Sequence, residues 1–235
     1  MCGIVGIVGN EQATKILVKG LEKLEYRGYD SAGIFVADQK EDFLIKSQGR
    51  IKELADKIGE NVHGTIGIGH TRWATHGEPS EENAHPHTSQ SKRFVLVHNG
   101  VIENYDELKK RYLAKDTFYG ETDTEIAVHL IEYFANQGLT TKEAFRKALK
   151  EIHGSYAFGL IDKNDRETIY VGKNKSPLLI GLGDGFNVVC SDAMAMLEQT
   201  NQFVEINDGE MVIVTKDQIE IEDENGNEIQ RAPYE

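Results

Sequence analysis

The hydrophobic and polar positions of this 235-residue chain alternate in a way that predicts two blocks of short strands with helices grouped between them. The chain opens with an apolar, β-branched, glycine-spaced run within Met1–Gly9, which is typical of a buried strand. Similar runs predict further strands at Ala32–Ala37, Asp42–Ser47, Thr65–Gly69 and Phe94–Val97. A second block is predicted at Tyr156–Ile161, Thr168–Val171, Leu178–Gly181, Asn187–Cys190, Gln202–Ile206, Met211–Thr215 and Gln218–Ile221.

Apolar residues at helical spacing predict the intervening helices. The first covers Glu11–Glu25, and Gly28 is its C-terminal stop. The others are predicted at Ile51–Ile58, Asn104–Leu113 (with Asn104 as a cap), Thr122–Gln137, Thr141–Ile152 and, briefly, Ala193–Glu198. Strands in two blocks with grouped helices favour an α+β protein with two packed sheets covered by helices over an alternating parallel sheet.

Three stretches lack periodicity. Residues 71–93 predict a lid or binding loop, because about twenty aperiodic residues inside a compact domain are uncommon. His98-Asn99-Gly100 is predicted to end its strand in a tight turn. The tail, 228–235, is polar and has no closing apolar element. We therefore expect one domain over residues 2–225 and the start of a linker at 226–235, with this chain as the front piece of a longer protein.

Charge and composition exclude several kinds of partner. The formal net charge is −13, from 26 basic and 39 acidic residues, which argues against binding nucleic acid or an anionic membrane as the main task. Two cysteines far apart in the sequence suit a reducing compartment and not a disulfide scaffold. No signal peptide and no run of about 20 apolar residues is visible. A soluble, cytosolic protein is expected.

Cys2, directly behind the initiator methionine, is the first candidate for chemistry. Removal of Met1 leaves one residue with both a thiol and a free α-amine. The unperturbed pKa of such an amine, about 7.7–8.0, suits a general base at neutral pH, and the deprotonated thiol is a strong nucleophile. Taken alone, a cysteine at this position is more often a small buried hydrophobe, so the rest of the chain has to support the catalytic interpretation.

Three further stretches carry matching residue types. Arg72 offers a rigid fork for a carboxylate, and Trp73, the only tryptophan, could cap a small pocket. Asn99 and the Gly100 backbone N–H could donate two hydrogen bonds to an oxyanion. Thr122 and Glu125 are spaced as a capping box, which leaves Asp123 for an ammonium group. The plainer alternatives are a surface charge for Arg72, core packing for Trp73, an Asn-Gly turn for the second stretch and a helix cap for the third.

Rival sites have weaker support. His70, His76, His85 and His87 lack the spacing and companion ligands of a zinc site, so no metal is expected. Cys190 lies in a strand-like run and is expected in the core, which disfavours a Cys–His dyad. No glycine-rich phosphate-binding motif is present, so no nucleotide cofactor is expected.

Five blocks occur in order, and together they resemble a known family. They are Met1–Gly6, Leu24–Gly33, the run from His70 to Gly77, His98–Gly100 and Glu121–Glu125. The set resembles the glutaminase domains of the glucosamine-6-phosphate synthase family, which belong to the class II, N-terminal-nucleophile amidotransferases. The resemblance covers essentially the whole chain.

This resemblance implies a four-layer αββα sandwich of two mainly antiparallel sheets and a site for L-glutamine. It implies that Cys2 attacks the side-chain amide with its own α-amine as base and that Asn99 and Gly100 form the oxyanion hole. By the same resemblance Arg27 supports the geometry around Cys2. The substrate-binding residues it implies are Arg72 with Thr75 and His76 for the α-carboxylate, Asp123 for the α-amine, and Trp73 as the gate of an ammonia channel.

The family also implies C-terminal isomerase domains, absent here, which make the main contacts of a homodimer. Two other hypotheses remain open on the sequence alone. One is a different N-terminal-cysteine amide hydrolase, whose apolar acyl group would leave Arg72 and Asp123 unexplained. The other is a non-catalytic domain that binds glutamine and is indifferent to Cys2→Ser.

Overall fold

A computed structural model of the protein describes residues 2–73 and 77–235, except for the side chain of Arg27. Its helices are α1 (Ala13–Leu24), α2 (Ile51–Lys57), α3 (Tyr105–Tyr112), α4 (Asp123–Ala135) and α5 (Thr141–Glu151). Its strands are β1 (Gly3–Val8), β2 (Ser31–Ala37), β3 (Asp42–Gln48), β4 (Ile66–Arg72), β5 (His87–Thr88), β6 (Phe94–Ile102), β7 (Gly154–Asp162), β8 (Asp165–Asn174), β9 (Leu179–Leu182), β10 (Asn187–Cys190), β11 (Phe203–Glu205), β12 (Met211–Val214), β13 (Ile219–Glu222) and β14 (Glu228–Ile229).

These strands form two seven-stranded sheets. The first has the order β11-β9-β10-β1-β4-β2-β3, and the second has the order β14-β13-β12-β8-β7-β6-β5. All the paired strands run antiparallel. The strand that follows Cys2 is therefore central, since β1 lies between β10 and β4.

Three hydrophobic clusters show how the layers stack. Apolar side chains of β1 and β4 meet those of β6, β7 and β8 between the two sheets, as at Ile4, Ile68, Val97 and Ile169. A second cluster joins α1 and α2 to the outer face of the first sheet. A third joins α3, α4 and α5 to the outer face of the second sheet. This is the four-layer αββα sandwich that was expected.

The strand β6 corrects the expectation at His98-Asn99-Gly100. The chain does not turn there, because β6 continues to Ile102 and pairs with β7 throughout, with Gly100 opposite Tyr156. Gly100 has φ +118°, a conformation that L side chains rarely adopt. The Asn-Gly pair therefore continues the strand and does not end it.

Two helix ends also differ from expectation. Asn104 precedes α3, but its side chain does not cap the helix. It instead donates to the Glu151 carbonyl and accepts from the His153 N–H. The predicted helix at Ala193–Glu198 is only a single 3-10 turn, Ala193–Ala195, with Asp192 accepting a hydrogen bond from the Met194 N–H.

The last ten residues are hydrogen-bonded to the domain. Strand β14 pairs with β13, and Tyr234 exchanges two backbone hydrogen bonds with Phe203, both of 2.8 Å. Arg231 also forms an ion pair with buried Glu210. A linker beginning at residue 226 remains a prediction. Among the described residues, no helix has the length and apolar character needed to cross a membrane.

Candidate active site

Cys2 lies at the start of the central strand of the first sheet, where the end of β4 runs beside it. The register pairs Gly3 with Thr71, which brings the backbone of Trp73 next to the thiol. The Trp73 N–H donates to Cys2 Sγ over 3.2 Å. The side chain of Cys2 is half-buried, so it is sheltered but still reachable.

Burial raises the pKa of the Cys2 thiol, and the hydrogen bond from the Trp73 backbone N–H opposes that rise. The net direction is upward, so at neutral pH the sulfur carries its proton. A base must therefore remove this proton when the sulfur attacks. Among the described residues, the hydrogen-bond partners of Sγ are backbone atoms of Trp73 and not a histidine.

Asn99 reaches the nucleophile from the opposite sheet. It lies on β6, and its Nδ2 donates to the Cys2 carbonyl oxygen over 3.2 Å. Its Oδ1 lies 3.0 Å from Nε2 of His70. The amide is therefore held at both ends, with its donor group beside Cys2.

Glycine is required at the next position, Gly100. A Cβ at Gly100 would lie 2.3 Å from the Ser155 carbonyl oxygen, which belongs to the neighbouring backbone and cannot move aside cheaply. The positive φ imposes a second restriction. The two residues predicted as oxyanion donors thus have fixed positions on the strand.

Arg72, at the end of β4, is buried and held by the loop that follows it. Its guanidinium donates to the carbonyl oxygens of Glu78 (3.1 Å) and Gly77 (3.2 Å), and it lies 4.0 Å from Asp30. The guanidinium group of Arg72 therefore holds the loop at residues 77–78 in place, and Arg72 also lines the cavity beside Cys2.

Asp123 is the first residue of α4, and it is also buried. Its Oδ2 accepts from the Ile102 N–H over 2.8 Å, which joins α4 to the end of β6. Thr122 caps the helix as predicted, accepting from the Glu125 N–H. The Glu125 carboxylate, however, accepts from the N–H groups of Tyr119 and Gly120, so the predicted capping box is only half formed.

These groups surround a cavity of about 20 Å³, which is room for roughly one water molecule. It is lined by Cys2, Arg72, Trp73, His85, His98, Gly100, Thr122, Asp123 and Thr124. A much larger cleft of about 710 Å³ lies between α1 and α2. The described lining of that cleft contains no cysteine and no buried carboxylate, so the small cavity is the candidate site.

A cluster of buried histidines supports this cavity: His70, His85, His87 and His98. The rings of His70 and His85 stack with centroids 3.9 Å apart. Burial lowers the pKa of His70 to about 3 and lowers those of the other three. All four are neutral at physiological pH. Nε2 of His70 is bonded to protein oxygens and Nδ1 of His85 accepts from the His98 N–H, and stacked rings held in this way do not converge on a shared metal position.

One group of side chains elsewhere has the composition of a metal site. Asp38, Glu41 and His63 bring their ligand atoms within 4.8 Å of one another at the β2–β3 hairpin. His63 Nε2 lies 3.0 Å from Asp38 and 3.2 Å from Glu41. The hydrogen bond between His63 Nδ1 and the Asn61 carbonyl oxygen raises the pKa of His63, and the nearby carboxylates of Asp38 and Glu41 raise it further. These contacts fit a protonated imidazole. Glu41 and His63 are exposed, Asp38 is half-buried, and none of the three lines the cavity beside Cys2.

Comparison with known proteins decides the family. The model of a family described as "Glutamine amidotransferase domain" matches residues 70–199, which is more than half of the chain. The chain belongs to the glutamine amidotransferase domain family. It is also similar to a glutamine–fructose-6-phosphate aminotransferase (isomerizing) of Streptococcus agalactiae, with 65% identity over all 235 residues. A relative of the same name from Lactococcus lactis is 64% identical.

The chain spans 39% of the length of these curated relatives. Among solved structures, the glutamine phosphoribosylpyrophosphate amidotransferase of B. subtilis is similar with a TM-score of 0.83 and 31% identity, covering 97% of this chain and 50% of that one. A class-II glutamine aminotransferase domain protein from Silicibacter pomeroyi matches over the full length of both chains with a TM-score of 0.61. Its 15% identity supports the fold alone.

The amidotransferase domain brings most of the predicted site residues together. Cys2, Arg72, Trp73, Gly100 and Asp123 line one cavity, and Asn99 is bonded to Cys2. Thr75 and His76 lie outside the described residues. Arg27 ends a 3-10 turn that follows α1, and its side chain is also outside the description. Cys190 is fully buried, and burial raises its pKa to about 12, so its expected place in the core is confirmed.

Two groups near the nucleophile could not be identified from the sequence. One is the Trp73 backbone N–H, which acts through position and not through its side chain. The other is His70, considered only as a possible metal ligand but in fact bonded to Asn99. The sequence offered one signal for His70: it lies two residues before Arg72, just as His98 directly precedes Asn99, so both histidines are close in sequence to predicted site residues.

Proposed function

We propose that this domain hydrolyses the side-chain amide of L-glutamine with Cys2 as nucleophile, giving glutamate and ammonia. The observation that carries the proposal is the hydrogen bond between Asn99 and Cys2, which joins an amide donor on one sheet to the nucleophile on the other. Acyl transfer needs a nucleophile and a preorganised donor for the oxyanion side by side.

The mechanism begins with loss of the thiol proton. With Met1 removed, the α-amine of Cys2 acts as the base, because the buried histidines have lowered pKa values and Sγ is bonded to the Trp73 backbone. The sulfur attacks the amide carbon, and Asn99 Nδ2 and the Gly100 N–H stabilise the oxyanion. The proton passes to the leaving nitrogen, ammonia departs, and water hydrolyses the thioester to glutamate.

Glutamine is recognised by its two backbone charges. Arg72 binds the α-carboxylate with Thr75 and His76, and Asp123 binds the α-ammonium group. The two buried side chains carry opposite charges and line the same cavity. Buried charges are costly unless they are paired, so ligands lacking either group are disfavoured. Because the described lining encloses room for about one water molecule, we expect the walls to open for glutamine.

The remaining roles rest on the family resemblance of the sequence blocks. We propose that Arg27 supports the geometry around Cys2 and that Trp73, whose side chain is 52% exposed, gates the ammonia path. We propose that the full-length enzyme is a cytosolic homodimer. Its isomerase domains follow a linker at 226–235 and use the ammonia to make glucosamine 6-phosphate from fructose 6-phosphate.

Mass spectrometry after exposure to a diazoketone analogue of glutamine tests the proposal. We expect a single adduct on a Cys2 that has lost Met1, and we expect excess glutamine to prevent it. Cys2→Ser is expected to abolish both the adduct and ammonia release. Cys190→Ser is the matched control, because Cys190 is buried and should not react. A processed Cys2 that stays unlabelled would contradict the mechanism, and glutamine binding without turnover would indicate a non-catalytic domain.

A further inference from the structure

His70 is a fully buried residue of β4 whose ring touches the predicted oxyanion donor. Its Nε2 lies 3.0 Å from the backbone carbonyl oxygen of His98 and 3.0 Å from Oδ1 of Asn99. It crosses the gap between the sheets, since β4 belongs to the first sheet and β6 to the second. These contacts are independent of the groups that bind glutamine.

The His98 carbonyl determines which nitrogen of His70 carries the proton. A backbone carbonyl oxygen can only accept, so a nitrogen 3.0 Å away must donate. The proton of the neutral ring is therefore on Nε2, and Nδ1 has a lone pair. In agreement, Nδ1 is buried without a hydrogen-bond partner among the described residues, which is tolerable for a lone pair and less so for an N–H.

The protonated Nε2 in turn determines how the Asn99 amide points. With Oδ1 toward His70, the amide accepts a proton and its Nδ2 faces Cys2. A flipped amide would bring two donors, Nδ2–H and Nε2–H, against each other and would turn Oδ1 toward the Cys2 carbonyl. Both contacts would then be repulsive, so only one orientation is stable.

We propose that His70 is a positioning residue whose Nε2–H, fixed by the His98 carbonyl, keeps the Asn99 amide donor aimed at the oxyanion. This inference rests on the proposed glutaminase function. It adds a residue that does not contact the substrate and acts only through Asn99.

Kinetics of His70→Phe and His70→Gln test this role. Phe keeps a ring to stack on His85 but has no N–H, so kcat for glutamine should fall by about a hundredfold with little change in KM. The Gln side-chain amide can supply an N–H close to the position of Nε2, so His70→Gln should recover most of the lost kcat. Equal losses in both variants would overturn the proposal.

A double-mutant cycle with Asn99→Ala separates positioning from folding. If His70 acts through Asn99, His70→Phe should cost almost nothing further in kcat once Asn99 is alanine. Additive losses would show that the histidine acts elsewhere and would overturn the proposal. His129→Phe is the matched control, because it also replaces a buried, hydrogen-bonded imidazole, bonded to Asp116 in this case, and His129 does not line the cavity beside Cys2. It should lower stability and leave kcat unchanged.

Nitrogen NMR of the histidine rings gives a readout that needs no turnover. His70, assigned by its absence in His70→Gln, should show a protonated Nε2 and an unprotonated Nδ1 from pH 5 to 8. The opposite tautomer, with Nε2 unprotonated, would overturn the proposal even in an active enzyme. If the wild type labels at Cys2 and releases ammonia but His70→Phe has unchanged kcat, only the positioning role fails. If the wild type has no glutaminase activity, both proposals fail.

Discussion

Asn99 holds one hydrogen bond to the nucleophile's own backbone and one to a buried histidine, so its side chain has little freedom. A donor fixed in this way loses no rotational freedom when negative charge develops on the substrate oxygen. The value of the residue therefore lies in the transition state and not in the binding of glutamine.

Replacing Asn99 by alanine should slow turnover without weakening glutamine binding. Loss of one oxyanion donor typically lowers kcat by about a hundredfold to a thousandfold, and we expect KM to change little. Steady-state measurement of ammonia release gives both constants. Asn104→Ala is the matched control, because the Asn104 side chain bonds to the backbone of Glu151 and of His153 and should affect stability alone. A change in KM alone would show that Asn99 is not an oxyanion donor.

Asp123→Asn should have the complementary effect. The new amide oxygen can still accept from the Ile102 N–H, so the junction of α4 and β6 is kept. The negative charge is lost, however, and with it a charge-assisted hydrogen bond to the substrate ammonium group. Loss of such a bond should raise KM by roughly tenfold to a hundredfold. Glutamine titrations and a thermal melt would measure both effects. An unchanged KM with a lower melting temperature would leave Asp123 only a structural role.

At the scale of single residues, the sequence indicates which side chains belong to the candidate site, but it does not indicate the contacts between them. Cys2, Arg72, Asn99 and Asp123 have side chains that suit a nucleophile, a carboxylate partner, an oxyanion donor and an ammonium partner, whereas glutamine as the substrate follows from the family resemblance. The contact of His70 with Asn99 depends on how two separate sheets face each other, and no local spacing encodes that.

At the scale of secondary-structure elements, the candidate site depends most on the path of strand β6, which carries Asn99 and Gly100. It passes from the core between the sheets to the cavity, and Gly100 lets it continue there at a positive φ. A residue with a side chain would either leave this conformation or push back β7, which carries Ser155.

Gly100→Ala should therefore destabilise the domain more than a glycine substitution in open space. The unfavourable φ alone costs about 1–3 kcal/mol, and the close contact with the Ser155 carbonyl adds about 1–3 kcal/mol more. Gly138→Ala is the control, because Gly138 also has positive φ, +92°, but nothing lies within 4 Å of its Cβ position. Urea unfolding of both variants measures the difference. Equal losses would show that β7 gives way easily.

The helices were predictable because their apolar residues repeat on one face. For α1, Ala13, Leu17, Leu21 and Leu24 are buried together. The continuation of β6 was not predictable, because Asn-Gly is also the commonest turn pair and only pairing with β7 decides between the two. The loop after β4 was recognised as aperiodic, but its attachment to Arg72 and to α4 depends on tertiary contacts.

At the scale of the whole molecule, the buried histidines couple folding to pH. Burial lowers the pKa of His70 to about 3 and those of His85 and His87 well below 6.5. The unfolded chain takes up these protons near pH 6.5 and the folded chain does not. The unfolded state therefore binds more protons below that pH, and stability is lost as pH falls.

The free energy of unfolding should decrease between pH 7 and pH 5, by about 2 kcal/mol for each histidine that stays neutral in the fold. Urea midpoints at pH 7, 6 and 5 would measure it. This window lies above the usual pKa of carboxylates, so their protonation contributes little. His63, whose pKa is raised in the folded state, acts in the opposite sense, so His63→Gln should make the decrease steeper. A stability independent of pH here would show that the histidines ionise in place.

Both sheets contribute to the proposed machinery. Cys2 and Arg72 come with the first sheet, whereas Asn99, Gly100 and Asp123 come with the second. The sheets are held together mainly by an apolar layer that has no directional bonds. Catalysis therefore depends on how the two sheets are aligned. A small lateral shift of one sheet against the other, too small to expose the core, would separate the Cys2 thiol from the Asn99 donor. Activity should disappear before the fold does.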